Sequence, residues 1–103
     1  MALALPEVEE ILTWETDITF RVRKKIFVIG GDGADRISVK AAPMAQAELI
    51  DLDPETFASA PYTGRFGWVT VVLDRVDVGV LDGLLRDAWR SAAPAKLRPL
   101  VPS

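Results

Sequence analysis

The sequence predicts an α+β domain of two layers, an antiparallel sheet covered by helices. Three observations carry this. The runs DITFRV at 17–22, KIFVIG at 25–30 and RISVKA at 36–41 follow one another with only turn residues between them, as hairpin-linked strands do. A helical apolar stripe runs over 78–93 near the end of the chain. The 103 residues, 50% apolar and 26% charged, suit one globular domain spanning 1–103 with a core of its own.

Taken in order, ALALPEVEEILT at 2–13 reads as a helix or the tail of one, with Pro6 opening a turn because it cannot sit deep in a helix. In DITFRV, Ile18, Phe20 and Val22 are expected inward and Asp17, Thr19 and Arg21 outward. KIFVIG is apolar on both faces, as a central strand is, and leaves Arg23 and Lys24 at a tight hairpin tip. Residues 30–35, GGDGAD, supply a second turn rich in residues that tolerate positive φ. RISVKA alternates, with Ile37 and Val39 inward. The three strands form a meander.

Pro43 suits the first turn of a middle helix, expected to pack through Met44, Ala47 and Leu49 or Ile50 and to end at Asp53 and Pro54. Phe57 is expected to anchor the next segment, and GWVTVVLD at 67–74 is a further strand. Asp77 is an N-cap for the last helix, whose stripe is Leu81, Leu84, Leu85, Ala88 and Ala92, with Trp89 at its edge. Pro94 stops it, and the Pro-rich tail is expected to lie extended. The sheet thus combines the meander with a C-terminal strand or strands, packed by N-terminal, middle and C-terminal helices.

Composition narrows the chemistry. The chain has neither cysteine nor histidine, which excludes disulfides, thiolate zinc sites, cysteine nucleophiles and every Ser-His-Asp triad. No carboxylate pair at a spacing suited to acid–base work is identifiable. The expectation is a binding module without catalytic residues, cofactor or metal. No apolar run approaches a membrane span, and the opening residues lack the basic n-region and apolar stretch of a signal peptide, so a cytoplasmic location is expected.

The formal charge of −3 disfavours tight, non-specific nucleic-acid binding, but the signs are segregated. Glu7, Glu9 and Glu10 gather near the start and Glu48, Asp51, Asp53 and Glu55 in the middle; consecutive acids do not converge on a cation, so these are solvated faces. GGDG at 30–33 lacks the following helix that a phosphate cradle needs and reads as a hairpin. Arg23, Lys24 and Lys25 form a basic knot, which Arg21 and Lys40 on neighbouring strands would extend; the bland reading is that such charges keep the tip soluble and unpaired. APYTGRFGW at 60–68 is a bent loop. Phe66 and Trp68 are expected to bury, and Tyr62, Arg65 and Trp68 form the candidate interaction loop, with Tyr62 and Arg65 the stronger candidates for contact.

LPEVEE at 5–10, ITFRVRKKIFV at 18–28, Lys40 closing the third strand, FASAPYTGRFGWVTVVLD at 57–74 and APAKL at 93–97 together resemble the MmcQ/YjbR family, in order and spacing and over nearly the whole chain. The resemblance implies a small CyaY-like α+β domain. Members are commonly labelled DNA-binding, because the fold is similar to a DNA-binding domain of a phage transcription factor. Relatives usually carry a longer N-terminal helix ahead of the LP motif, shortened or missing here, and often a glycine where this chain has Lys24. The expectation is a nucleic-acid-binding domain whose phosphate contacts come from Arg21, Arg23, Lys24, Lys25, Lys40, Arg65 and Lys96, with weak, salt-dependent DNA binding. The alternative is a protein-interaction adaptor that binds a partner through the sheet face and the PYTGRFGW loop.

Overall fold

A computed structural model describes residues 5–13, 17–31, 35–61 and 63–101. Six strands form one sheet: β1 (Val8–Thr13), β2 (Asp17–Val22), β3 (Lys25–Gly31), β4 (Arg36–Val39), β5 (Phe57–Ser59) and β6 (Val69–Val72). Their spatial order is β1-β2-β3-β4-β6-β5, and every neighbouring pair is antiparallel. Helix α1 (Pro43–Leu52) lies between β4 and β5, and helix α2 (Val78–Ala92) follows β6.

The N-terminal segment departs from the expected helix. Residues 8–13 are strand β1, paired along its length with β2 from Val8↔Val22 to Thr13↔Asp17. The apolar spacing of VEEILT fits either element. Pro6 breaks the run ahead of it, Glu7 turns at φ 54°, and β-branched Val8, Ile11 and Thr13 find a partner in the open edge of β2.

The hairpin at Arg23–Lys24 is a two-residue turn closed by the Val22↔Lys25 pair, with φ values of 48° and 72°. Positive φ at both central residues is what the right-handed twist of the flanking strands demands. Further along, Arg21 pairs with Ile26 and Phe20 with Val28, so Phe27 is an extra residue in β3. This bulge lets two consecutive side chains, Phe27 and Val28, both be buried, where strict alternation would expose one. Thr19, expected outward, is also buried: its hydroxyl donates to the Ile11 carbonyl at 3.2 Å and accepts from Arg21 Nε at 3.0 Å.

Helix α2 covers the sheet. Asp77 caps it, accepting from the Val80 N–H. Leu85, Ala88, Trp89 and Ala92 are its buried residues and share one core with Val22, Phe27, Val28, Val39, Val69 and Val71. Trp89 sits at the centre of that stripe, not at its edge: it is fully buried, and its indole N–H donates to the Pro6 carbonyl at 2.8 Å, tying the entry to β1 to the helix. Burying an aromatic of this size contributes about 1.5–3 kcal/mol, which makes it a main anchor.

Helix α1 packs more lightly than expected. Leu49 and Ile50 touch the core, but Met44 is 75% exposed and Ala47 also faces solvent. Phe57, the expected anchor, is buried on β5. The tail is not extended: residues 95–100 make a 3-10 helix that buries Leu97, with Val101 buried just beyond it. Arg90 draws the tail back onto α2, donating to the carbonyls of Arg98 (2.9 Å) and Val101 (2.6 Å), while Arg98 Nε donates to the Arg90 carbonyl at 3.0 Å.

Candidate nucleic-acid interface

Strand register decides which of the candidate residues meet. Val8↔Val22 places the start of β1 beside the Arg23–Lys24 tip. Val28↔Val39 and Val39↔Val69 run β4 out, and β6 in, at that same end of the sheet. Lys40 and the Gly64–Trp68 corner therefore share the end that holds the hairpin tip. The bond from Trp89 to Pro6 brings the C-terminal end of α2 there too, followed by the turn that carries Lys96. With strands about 4.8 Å apart, β6 lies two strands from β3, so the corner ahead of it is offset from the tip by roughly 10–15 Å across the sheet, with a further offset along the strands.

The cations at this end differ in their partners. Arg23 is held by Glu7 in a bidentate pair, Nε to Oε1 at 2.8 Å and Nη2 to Oε2 at 3.2 Å, with both side chains exposed. The hydrogen bond to Glu7, and then its charge, hold the Arg23 guanidinium above its ordinary pKa. Arg21 is half-buried and bonded to Thr19. Lys24, Lys25 and Arg65 are exposed, and among the described residues none of them pairs with a carboxylate. Lys96 is exposed on the C-terminal turn, and Lys40 lines a cleft between the start of α1 and α2.

The GRFG corner is built by glycine. Residues 64–66 form a 3-10 turn closed by Gly67 at φ 99°. A Cβ on Gly67 would lie 2.5 Å from both the Ala42 carbonyl carbon and the Pro43 nitrogen, and one on Gly64 would run into the Ser59 hydroxyl. The corner thus lies directly against the start of α1. Gln46 fastens it, its side-chain N–H groups donating to the Trp68 carbonyl at 2.7 Å and the Gly64 carbonyl at 2.9 Å.

This packing turns one expectation around. Trp68 is half-buried, but Phe66 is 61% exposed, because the tight 3-10 turn throws its ring out of the core. The Arg65 guanidinium lies 4.8 Å from the Phe66 ring centre, a cation–π stack at the tip of the corner. Tyr62 lies outside the described residues. Sequence reasoning missed Gln46 and the exposure of Phe66. A lone glutamine on a helix gives no signal of its own, whereas glycines at 64 and 67 flanking Phe66 could have pointed to a turn too tight to bury it.

No group of three or more acidic side chains among the described residues is arranged to hold a metal ion, and no described helix is long and apolar enough to cross a membrane. The model of the YjbR family matches residues 3–91. No curated protein matches the chain. Among solved structures, a crystal structure of a Deinococcus radiodurans protein with the domain DUF419 is similar at a TM-score of 0.82 and 23% identity, covering 97% of this chain and 81% of that one. A likeness at that identity speaks for the fold alone.

Proposed function

The chain belongs to the YjbR family, and from that premise we propose that it is a non-catalytic, cytoplasmic module that binds nucleic acid through one end of its sheet. The observation that carries this reading is the set Lys24, Lys25 and Arg65: three exposed cations without acidic partners among the described residues, at the end of the sheet where Arg65 stacks on the exposed ring of Phe66. Lysines on the hairpin hold phosphates as point charges. The Arg65–Phe66 stack offers a flat surface on which an unpaired base can lie. Arg21, Arg23 and Lys96 flank the set and add positive potential; Arg23 does so at reduced strength because Glu7 neutralises it.

Fluorescence anisotropy of labelled single- and double-stranded DNA, at low and physiological salt, tests the reading. Binding on the order of micromolar at low salt, falling steeply as salt rises, is expected from counterion release. Single strands should bind more tightly, since only they free a base for Phe66. Replacing Lys24, Lys25 and Arg65 together with alanine should weaken binding across all sequences. An unchanged affinity in that variant would remove the site.

A second reading draws on the same corner. An exposed aromatic under an arginine is a favoured anchor for a protein partner. If DNA fails to bind even at low salt, the pair Arg65 and Phe66 becomes the contact to test by alanine substitution against candidate partners.

A further inference from the structure

We propose that the cleft between the end of β4, the start of α1 and the face of α2 binds a small zwitterion of the amino-acid class. The cleft has a volume of about 290 Å³ and is lined by Lys40, Ala41, Ala45, Leu84, Asp87 and Ser91 among others. Its walls are mostly apolar, yet they carry one cation, one anion and one hydroxyl. Among the described residues, none of these three side chains makes a hydrogen bond or ion pair, and Lys40 and Asp87 do not pair with each other. Opposite charges that share a cleft without meeting leave room for a ligand with separated charges of its own.

The charges select the ligand. A simple anion is drawn to Lys40 but opposed by Asp87, and a simple cation meets the reverse. A molecule that carries both a carboxylate and an ammonium satisfies both, with Ser91 as a further hydrogen-bonding group. Helix α1 starts at this cleft without a side-chain cap on Ala42, which adds the positive end of its dipole beside Lys40. The alanines and Leu84 provide an apolar wall for a short hydrocarbon side chain. The volume lies at the small end of ligand sites and is ample for an amino acid.

The second large cleft, about 300 Å³ at the opposite end of α2, lacks this character. There Asp53 accepts from Thr56, Arg75 pairs with Glu55, and Asp77 caps α2. Its polar groups are already spent on the fold.

The inference is tested apart from nucleic-acid binding through Asp87 and Ser91, which have no part in that reading, whereas Lys40, an expected phosphate contact, is left unchanged. Titration of the ¹⁵N-labelled protein with glycine, L-alanine and L-leucine, followed through its amide spectrum, tests it. Saturable shifts confined to residues 40–45 and 84–91 are expected, with dissociation constants in the range of about 1 mM and leucine binding more tightly than glycine. Acetate and methylammonium, each carrying half of the charge pattern, should bind at least about fivefold more weakly than glycine. Asp87 is exposed on α2, so Asp87→Asn retains the fold, and it should cost the zwitterions a similar factor while sparing acetate. Shifts that do not saturate, acetate binding as tightly as glycine, or an Asp87→Asn variant that binds glycine like the parent would each overturn the proposal.

Discussion

Gln46 holds Trp68 across the boundary between helix α1 and the GRFG corner, its Nε2 donating to the Trp68 carbonyl at 2.7 Å and, with its other hydrogen, to the Gly64 carbonyl at 2.9 Å. Each carbonyl also accepts one backbone N–H, Trp68 from Ala60 at 3.2 Å and Gly64 from Gly67 at 2.9 Å, so Gln46 is the second donor to both and bridges the corner to α1. Gln46→Ala removes two hydrogen bonds, each worth about 0.5–1.5 kcal/mol, while both carbonyls keep their backbone donors, and should lower the unfolding free energy by about 1–2 kcal/mol in a urea titration. Gln46→Glu should cost more, since a carboxylate cannot donate and faces the same two oxygens.

Two glycines should respond in opposite senses to alanine. At Gly67 a side chain meets backbone atoms of Ala42 and Pro43, and φ 99° is unfavourable for any L-residue. Gly67→Ala should therefore cost more than about 2 kcal/mol, and should separate the corner from α1. Gly83 lies exposed on α2 with nothing within 4 Å of a new Cβ. Gly83→Ala should stabilise by about 0.5–1 kcal/mol, since it only removes freedom from the unfolded chain and improves helix propensity. The pair, measured together, separates a glycine that the backbone requires from one it does not.

Much of this fold was legible in the chain because local pattern and tertiary role agree. The alternation in DITFRV, the continuous apolar run in KIFVIG and the Asp77-capped stripe of α2 all became the elements they predict. The failures lie where a distant partner decides. VEEILT is a strand because β2 has a free edge, and β5 is only three residues long, too short to show a period. Phe27 and Val28 are both buried through a bulge that involves β2, which no single-strand pattern encodes. Of the candidate site, the basic hairpin could be read from RVRKK. The Arg65–Phe66 stack could not, because hydrophobicity argues for burying a phenylalanine and only the geometry of the corner prevents it.

The hairpin tip sets stability against binding. Lys24 holds φ 72°, a region that costs most L-residues about 1–2 kcal/mol and glycine little. Lys24→Gly should thus raise stability by up to about 1 kcal/mol, part of the relief being lost to the greater freedom of an unfolded glycine. The same substitution removes an exposed cation, so DNA affinity should fall. Stability and affinity moving in opposite directions, by denaturation and anisotropy on one variant, would tie the lysine to binding. A fall in neither would assign it only to solubility.

Glu7 restrains the interface by occupying Arg23. With Glu7→Gln the guanidinium keeps its place but loses its neutralising charge. Affinity for DNA should rise, and the plot of log K against log salt should steepen by up to about one, the slope that each added phosphate contact contributes. The exposed pair itself adds little to folding, so the denaturation midpoint should barely move. An unaltered salt slope would place Arg23 outside the contact surface.

At the opposite end of α2, Asp53 links folding to pH. Its carboxyl is held below the ordinary carboxylate range, first by the hydrogen bond from the Thr56 hydroxyl at 2.7 Å, with smaller help from the Glu55 N–H and the charge of Arg75. A depressed value means that the folded state takes up a proton less readily than the unfolded one. The stabilisation from Asp53 is therefore complete above the ordinary carboxylate range and is lost as pH falls below that range through the depressed value of the folded carboxyl. Thermal midpoints followed from about pH 6 to pH 2 should drop less steeply for Asp53→Asn than for the parent, the two curves converging at the acid end. Thr56→Val should flatten the same portion of the curve, because it removes the bond that lowers the carboxyl. Parallel curves for all three proteins would show that other carboxylates govern acid unfolding.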